Sequence, residues 1–359
     1  MNYAEEDMKI FNKYCKTHKY YPLILPARKD DEDIIVIGDI HGDFDLLIKC
    51  LRTAKVIDNN NQWIGGNTII VQVGDQLDNC RPLDKKCEED MDDTSSYSGS
   101  SPEDIRVFKF FNELDIQANK VGGMIISLIG NHELMNVMGN MSYVSYKDLK
   151  KFSNYKDINN PNLSFMSGKE ARQHAFKPGN EYANLIACTR LPCVIIGSYL
   201  FVHAGIIKKF VEVLNIKGRD DLYKISYVLR KWLLGLIDKD NVINIINSKP
   251  YSLFWDRLLG SIPSNVSNDN PICVEHLNDV LNIFDVKTMF IGHTPQNFAH
   301  NSYINKTCGN GLYRLDCGSS YAFNKFDPTF KQTHNVSDLR KAQVLRIRGD
   351  NLEPEILKS

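Results

Sequence analysis

Residues 34–43 read IIVIGDIHGD, and this stretch decides the predicted fold. The four apolar residues at its start are all β-branched, which is typical of a strand buried on both faces. A glycine ends the run, and Asp39 and His41 follow it in a short polar loop. Apolar residues then recur with the spacing of one helix face, at Phe44, Leu47, Ile48 and Leu51. The stretch therefore predicts a strand, a polar loop and a helix.

The same order returns at four other places in the chain. Strand-like apolar runs cover residues 68–73, 124–129, 199–202 and 288–291, and a polar loop follows each of them. Strands that alternate with helical patterns predict an α/β fold, and ligands of such folds gather where strands end. A longer amphipathic helix is predicted over residues 222–236, and a terminal hairpin over residues 341–357.

The domain organisation follows from shifts in composition. Residues 1–33 are polar and mixed, and are predicted to form an N-terminal arm in front of a single domain at 34–359. Within that domain, residues 83–104 are acidic, Ser-rich and without periodicity, which predicts a mobile acidic loop. Residues 140–182 are polar and aromatic, and are predicted to form a cap.

Charge and hydropathy exclude several classes of partner. The 359 residues include 43 basic and 44 acidic side chains, for a formal net charge of −1. Without a basic field, neither a nucleic acid nor a membrane partner is expected. The N-terminus lacks an apolar signal region, and no stretch approaches the roughly 18 apolar residues of a membrane span. We expect a soluble, intracellular protein in the cytoplasm.

The nine cysteines include no CxxC pair, so a zinc ribbon or a thioredoxin motif is not expected. Several lie in apolar runs, as Cys193 does. We expect reduced cysteines that fill the core, in a reducing compartment.

Five short motifs carry the predicted chemistry. They are GDIHGD (38–43), GDQLD (74–78), GNHE (130–133), VHAG (202–205) and GHTP (292–295). Each one alone is usually a turn, but together they bring Asp, His and Asn to five strand ends. Such mixed oxygen and nitrogen ligands suit Zn, Fe or Mn rather than Ca. The candidate ligands are Asp39, His41, Asp75, Asn131, His203 and His293.

Six ligands are too many for one tetrahedral zinc ion, so the sequence predicts two ions. A carboxylate such as Asp75 can bridge ions about 3.5–4 Å apart, the spacing of two-metal hydrolases. A bridging hydroxide would then attack the phosphorus of a phosphomonoester directly. His132 lies beside a ligand and is the predicted general acid for the leaving oxygen, with Asp78 orienting it.

The five motifs resemble those of the calcineurin-like metallophosphoesterases and, within them, the PPP protein phosphatases. GNHELMNV, FKPGNEYANLIA, LFVHAGI and MFIGHTPQ resemble the Shewanella-like protein phosphatase branch. The resemblance runs from about Ile34 to Ser320. It implies an α/β/β/α sandwich of two packed mixed sheets flanked by helices.

The resemblance also implies a division of the ligands between two Fe, Zn or Mn ions. Asp39, His41 and Asp75 would hold the first ion; Asp75, Asn131, His203 and His293 would hold the second. It supports His132 as the acid and Asp78 as its partner. Asn131 is also a candidate for binding the substrate phosphate.

One departure concerns the phosphate clamp. The family continues its second motif as GDxxDRG, whereas here Asp78 is followed by Asn79, Cys80 and Arg81. Either Arg81 reaches back to the phosphate or this contact is weakened, because an amide is a poor substitute for a planar guanidinium. FWDR (254–257) resembles the segment in which this branch places a second phosphate-binding arginine, here Arg257.

Three functions follow from these residues. The first is a phosphoprotein phosphatase acting on phosphoproteins or phosphopeptides, with the choice between phosphoserine, phosphothreonine and phosphotyrosine left open. The second is a phosphoesterase for small molecules or dinucleoside polyphosphates. In that case a base would stack on aromatic residues of the cap: Tyr143, Tyr146, Tyr155 and Phe165. The third is a non-catalytic, metal-binding phosphoprotein scaffold. The oligomeric state is not predicted.

Overall fold

The computed structural model describes residues 1–92, 97–247, 251–300, 303–326, 341–349 and 353–359. Its strands, numbered along the chain, are β1 (Ile24–Leu25), β2 (Asp33–Ile37), β3 (Ile69–Gln72), β4 (Met124–Leu128), β5 (Arg190–Leu191), β6 (Cys193–Ile196), β7 (Tyr199–Val202), β8 (Thr288–Ile291), β9 (Asn305–Thr307), β10 (Leu312–Arg314), β11 (Gln343–Arg348) and β12 (Glu355–Lys358).

The helices follow the same numbering. They are α1 (Tyr3–Tyr14), α2 (Phe44–Thr53), α3 (Glu103–Asn119), α4 (Asn131–Val137), α5 (Tyr146–Phe152), α6 (Gly168–Phe176), α7 (Glu181–Thr189), α8 (Lys208–Leu214), α9 (Leu222–Leu233), α10 (Ile243–Ile246), α11 (Leu258–Ser261), α12 (Pro271–Cys273), α13 (Asp279–Phe284) and α14 (Gln296–His300). Short 3-10 turns cover Cys87–Glu89, Arg219–Asp221, Lys239–Asn241 and Tyr321–Phe326, and a π-helical turn covers Val274–Asn278.

The strands form two six-stranded sheets. The first has the order β12-β11-β2-β3-β4-β5, and the second has the order β1-β6-β7-β8-β10-β9. In the first sheet β2, β3, β4 and β5 run parallel, and β11 pairs with β2 in the antiparallel sense. In the second sheet β7, β8 and β10 run parallel, whereas β6 is antiparallel to β7. Both sheets are therefore mixed, as predicted.

The residues of β2 explain how the layers are arranged. Side chains alternate between the two faces of a strand. Accordingly Ile34 and Val36 join the core that also contains the strands of the second sheet, while Ile35 and Ile37 pack with α2 and α3. Both faces of β2 are thus buried. One face packs against the second sheet, and the other packs against helices. This arrangement confirms the predicted α/β/β/α sandwich.

Residues 1–33, predicted as an arm, contribute a helix and a strand to the fold. Helix α1 packs on α9, where the buried Asp7 accepts a 2.8 Å hydrogen bond from Arg230 Nε. Strand β1 pairs in parallel with β6 through Ile24 and Ile195. The polar composition of this segment hides its packing, because the buried face of α1 combines the acidic Asp7 with the apolar Phe11.

The elements predicted for the second half of the chain are largely present. The helix expected over residues 222–236 is α9, which ends at Leu233. Strands β11 and β12 pair in the antiparallel sense, as in the predicted terminal hairpin, and residues 350–352 between them lie outside the described residues. No helix in the described parts of the chain is long and apolar enough to cross a membrane.

The predicted loop and cap both contain short helices. The acidic segment 83–104 includes the 3-10 turn Cys87–Glu89 and the start of α3; residues 93–96 lie outside the described residues, and its mobility stays a prediction. Segment 140–182 contains α5, α6 and the start of α7, with α5 packed on α6.

The expectation of reduced cysteines is wrong for six of the nine. The structure contains disulfide bonds between Cys15 and Cys188, Cys80 and Cys87, and Cys273 and Cys308. Three buried cysteines are free: Cys50, Cys193 and Cys317. Two of the bonded pairs are 173 and 35 residues apart, so only the packing of the chain brings them together. The cytoplasmic location stays a prediction, without the support of reduced cysteines.

Candidate active site

The six candidate ligands lie at the ends of five strands. Asp39 and His41 follow β2, Asp75 follows β3, and Asn131 begins α4 just after β4. His203 directly follows β7, and His293 lies two residues after β8. All six side chains are buried, with exposed fractions between 0% and 7%. The structure thus brings both sheets' polar loops to one edge of the sandwich.

The glycines beside the ligands leave room for their carboxylates. A Cβ atom added at Gly130 would lie 2.1 Å from Asp75 Oδ1, and one added at Gly292 would lie 2.1 Å from Asp39 Oδ1. Such distances are far below van der Waals contact. Glycine is therefore required at these positions because the backbone passes directly against the carboxylate of a candidate ligand.

The backbone of the site is locally strained. His41, Asp75, Asp78 and His293 have φ angles of 46°, 55°, 68° and 66°, in the left-handed region. This region costs an L-residue on the order of 1–2 kcal/mol. Strain of this kind concentrates at functional sites, where the surrounding fold enforces it. The four residues belong to the motifs singled out in the sequence.

Asp75 lies between two groups of ligands. Its Oδ2 is 3.8 Å from His41 Nε2, and His41 Nε2 is also 3.8 Å from Asp39 Oδ2. Its Oδ1 is 3.4 Å from His203 Nε2, which in turn is 2.9 Å from Asn131 Oδ1. Donor atoms of Asp75, His203 and His293 lie within 4.8 Å of one another. One carboxylate therefore faces two clusters with its two oxygens.

Backbone carbonyls orient two of the imidazoles. His41 Nδ1 lies 3.3 Å from Leu77 O, and His203 Nδ1 lies 2.8 Å from Val73 O. Because a carbonyl oxygen only accepts, each Nδ1 carries a proton and each Nε2 points into the site. His293 Nε2 is buried and has no hydrogen-bond partner among the described residues. These nitrogens have the orientation of metal ligands.

The charges at the site favour a bound cation. Burial would raise the pKa of Asp75, but the imidazoles of His203, His132 and His41 hold it well below its usual range. By contrast, burial and the neighbouring carboxylates Asp316 and Asp75 raise the pKa of Asp39 well above its ordinary value. Asp39 thus lies, buried, beside two further carboxylates that disfavour its negative charge. The donor set of carboxylate, amide and imidazole groups fits transition-metal ions, which would offset this charge.

His132 and Asp78 form a buried pair at the same site. His132 Nδ1 lies 2.7 Å from Asp78 Oδ2, and Asn136 Nδ2 donates to Asp78 Oδ1 at 2.8 Å. The carboxylate therefore holds the proton on Nδ1 and directs Nε2 toward the ligands, 3.9 Å from Asp75 Oδ2. Arg172 Nε donates to Asn136 Oδ1 at 2.8 Å, so a second layer of hydrogen bonds fixes the pair.

The departure from GDxxDRG has a structural counterpart. Asn79 turns away from the ligands, and its Nδ2 donates to Asp148 Oδ2 at 2.8 Å and to Tyr321 Oη at 3.0 Å. Arg81 is buried instead at the ligand site, with its guanidinium 4.6 Å from the Phe323 ring centre and 5.5 Å from that of Tyr143. Asn79 therefore stabilises the loop through hydrogen bonds. The Arg81 guanidinium, two residues later, lines the cavity.

The residues meet in one cavity of about 510 Å³. His41, Asp75, Asn131, His132 and His293 line it together with Arg81 and Arg257. Arg257 is exposed, and its Nη1 donates to His293 O at 3.0 Å. Five aromatic residues complete the wall: Tyr143, Trp255, Phe298, Phe323 and Phe326.

Two buried carboxylates at the site received no role from the sequence. Glu133 accepts hydrogen bonds from the backbone N–H groups of Asp75, Gln76, Leu77 and Gly130, at 2.7–3.1 Å. It therefore holds the second and third motifs together. Its place in the GNHE motif is the sequence feature from which this role could have been predicted. Asp316 follows β10, and burial raises its pKa to about 6. Asp316 follows a strand, as the candidate ligands do, so the same sequence pattern could have identified it.

The comparisons with known proteins agree with this geometry. The family model for calcineurin-like phosphoesterases matches residues 33–297. An uncharacterized protein of Acanthamoeba polyphaga mimivirus is 38% identical over 253 residues, covering 67% of this chain and 95% of that protein. Shewanella-like protein phosphatase 2 of Arabidopsis thaliana is 26% identical over 326 residues, covering 83% of this chain and 74% of its own.

A solved structure shows the same fold. The cold-active protein-tyrosine phosphatase of a psychrophilic Shewanella species superimposes with a TM-score of 0.61 at 19% identity, covering 97% of this chain and 84% of that one. Together with the family match over most of the chain, the observations define the class of protein. The chain belongs to the calcineurin-like phosphoesterase family, and it is a metal-dependent hydrolase of phosphate esters.

Proposed function

We propose that this protein is a dinuclear metal-dependent phosphoprotein phosphatase. The observation that carries the proposal is Asp75, whose two oxygens face two ligand clusters in the cavity that also holds the His132–Asp78 pair and Arg81. The relatives named as Shewanella-like protein phosphatases support a phosphoprotein or phosphopeptide substrate.

Six side chains would hold the metal ions. Asp39, His41 and Asp75 would bind one ion; Asp75, Asn131, His203 and His293 would bind the other. Ligands of this mixed chemistry suit Mn, Fe or Zn. Two bound ions of this kind polarise phosphate oxygens and make hydroxide available near neutral pH.

The guanidinium groups would hold the substrate phosphate. Arg81 and Arg257 line the cavity with the ligands, and both present planar donors that match phosphate oxygens. Asn131 Nδ2 contacts only Met135 Sδ, at 3.9 Å among the described residues, and is available to donate to a phosphate oxygen. The amide oxygen of Asn131 faces His203, so its two ends would serve metal and substrate separately.

His132 would protonate the leaving oxygen. Asp78 keeps the proton on Nδ1, so Nε2 is the atom that would carry and deliver the transferred proton in the cavity. The second-layer contacts through Asn136 and Arg172 would limit rotation of this pair. A fixed imidazole stabilises the transition state without a reorganisation cost.

We further propose a preference for phosphotyrosine. Five aromatic rings line the cavity beside the candidate ligands, and the ring centres of Tyr143 and Phe323 lie 5.0 Å and 5.6 Å from those of His132 and His41. The phenyl ring of a phosphotyrosine would pack against these aromatic rings. The shorter side chain of a phosphoserine would require the peptide backbone to enter the cavity. The wall therefore favours a substrate whose phosphate is far from its backbone.

The alternatives receive less support. Of the four aromatic residues considered for nucleotide stacking, Tyr143 lines the cavity, while Tyr155 and Phe165 pack on each other with ring centres 6.1 Å apart. A non-catalytic scaffold would not need the hydrogen-bonded His132–Asp78 pair. Neither a dinucleotide substrate nor a scaffold role explains the complete arrangement.

The test is phosphate release from peptides of one sequence that carry phosphoserine, phosphothreonine or phosphotyrosine. Release with added Mn²⁺ that stops after chelation supports the phosphatase, and the fastest turnover is expected for phosphotyrosine. Equal or faster turnover of phosphoserine would overturn the preference alone. Absence of release from every peptide, with metal bound, would overturn the proposed function.

A further inference from the structure

The Cys80–Cys87 disulfide closes a short loop that begins at the cavity. The two cysteines are seven residues apart, and Arg81 is the first residue inside the ring that their bond closes. Residues 82–86 are all exposed, whereas Arg81 and Cys87 at either end are buried. The disulfide therefore joins the exposed loop back to the residue that precedes the buried guanidinium.

The position of Arg81 depends on the conformation of this turn. Its Nη1 donates to Asp78 O at 3.2 Å and to Cys80 O at 2.8 Å, so the guanidinium folds back over its own backbone. Cys80 N donates to Tyr143 O at 3.0 Å, and the Tyr143 ring forms one side of the guanidinium site. A change in the backbone of Cys80 would thus move two of the contacts that hold Arg81.

Beyond Arg81, a disulfide and two ion pairs among the described residues help to hold the loop in place. These are the disulfide at Cys87, an ion pair between Glu88 and Lys169, and an ion pair between Asp90 and Lys325. The side chains of Glu88, Lys169 and Lys325 are 33%, 44% and 32% exposed, respectively. Water and salt therefore weaken these two ion pairs. The covalent bond is therefore the contact that salt does not weaken.

The three disulfides differ in exposure. All nine cysteines lie in the described residues, and among the six bonded ones only Cys80 is not buried. A small thiol therefore reaches this bond more readily than the two buried ones.

We infer that the Cys80–Cys87 disulfide positions Arg81 for phosphate binding, and that its reduction by a thiol weakens the affinity for phosphosubstrates. This inference rests on the proposed function of the cavity. Cys80 and Cys87 are positioning residues, because they act through Arg81 and lie outside the reacting atoms. The loop thereby couples substrate affinity to the thiol–disulfide balance around the protein.

The exchange is balanced by the reductant. A thiolate attacks one sulfur of the bond, forms a mixed disulfide and expels the other sulfur as a thiolate. A second thiol of the reductant then resolves the mixed disulfide, so Cys80 and Cys87 become thiols and a dithiol reductant becomes a disulfide. Glutathione disulfide, acting as the oxidant, reverses the reaction.

The experiment compares the full chain with the double variant Cys80→Ser/Cys87→Ser. The matched control is Cys273→Ser/Cys308→Ser, which removes a disulfide outside the cavity. KM and kcat for a phosphopeptide and the inhibition constant of inorganic phosphate are measured for each, with metal content and thermal unfolding as checks. We expect KM and the phosphate inhibition constant to rise about three- to tenfold in the first variant with kcat nearly unchanged, as expected when a charged hydrogen bond is weakened.

Two further measurements separate positioning from general destabilisation. Reduction of the wild-type chain should reproduce the effect, glutathione disulfide should reverse it, and the double serine variant should respond to neither. In an Arg81→Met background, removing the two cysteines should have no additional effect, because the group that they position is gone.

The outcomes distinguish the two proposals. An unchanged KM in a folded, metal-loaded Cys80→Ser/Cys87→Ser variant would overturn the inference, as would an equal effect in the Cys273→Ser/Cys308→Ser control. The inference would also be overturned if peptide mass mapping of the wild-type chain under oxidising conditions showed no Cys80–Cys87 bond. Failure of the wild-type chain to release phosphate would instead overturn the proposed function.

Discussion

Replacing His132 with asparagine tests the proposed proton transfer directly. The imidazole bonds to Asp78 through Nδ1 at 2.7 Å, and its Nε2 lies 3.9 Å from the nearest Asp75 oxygen. Asparagine removes the proton donor at Nε2, while the six proposed ligands stay in place. We therefore expect metal content to stay the same and the chemical step to slow.

The magnitude follows from the role of a general acid. Such catalysis contributes about 10²–10⁴-fold to a rate, which is about 3–5 kcal/mol of activation free energy. We expect this full loss in kcat for phosphoserine peptides, because an alkoxide is a poor leaving group. The loss should be much smaller for an activated aryl phosphate, whose leaving group departs without protonation.

The assay measures kcat for both substrates and metal content by elemental analysis. The matched control is His174→Asn, because His174 Nε2 lies 2.6 Å from Asp157 Oδ2 in a second histidine–carboxylate pair outside the cavity. This control should retain wild-type turnover. A loss below tenfold for the phosphoserine peptide, or an equal loss for both substrates, would refute the assignment of His132 as the acid.

Three other perturbations test the ligands, the clamp and the buried charges. Asp75→Asn should remove most bound metal and activity together, because one carboxylate faces both clusters; retained metal by elemental analysis would contradict this. Arg257→Ala should raise the inhibition constant of inorganic phosphate about tenfold without loss of metal, and an unchanged constant would exclude the contact. Burial and Asp104 raise the pKa of Asp148 to about 8, above its ordinary value, so the stability that its protonated form provides falls as pH rises from about 4 to 8. Asp148→Asn should therefore flatten the dependence of Tm on pH across this range, and parallel curves for the two proteins would contradict the shift.

The sequence by itself determined the architecture and the type of chemistry. The apolar runs before Gly38, Gly74, Gly130 and Gly292 predicted buried strands, and each run contains a strand in the structure. These signals are local, because strand preference and a tight glycine turn depend on neighbouring residues. For the same reason the polar residues after each strand could be identified as one site, since parallel strands end at a common edge.

The resemblance supported the pairing of His132 with Asp78 that the motifs had predicted, and the structure brings these two side chains into contact. It left Arg81 undecided, because the usual arginine position is occupied by Asn79. Only the tertiary structure shows that Asn79 bonds to Asp148, and that the Arg81 guanidinium lies between Tyr143 and Phe323. Phe323 is 242 residues from Arg81 in sequence, so no local pattern contains this contact.

The cysteines also show what the sequence could not predict. Their apolar neighbours correctly predicted burial for most of them, but burial does not specify a partner. Cys15, at the end of α1, meets Cys188 of α7 because both helices pack on α9. Local preference and periodicity therefore determined the strands and the ligand types. Contacts between distant segments, which depend on the packing of the whole chain, decided the disulfides, the position of Arg81 and the shape of the cavity.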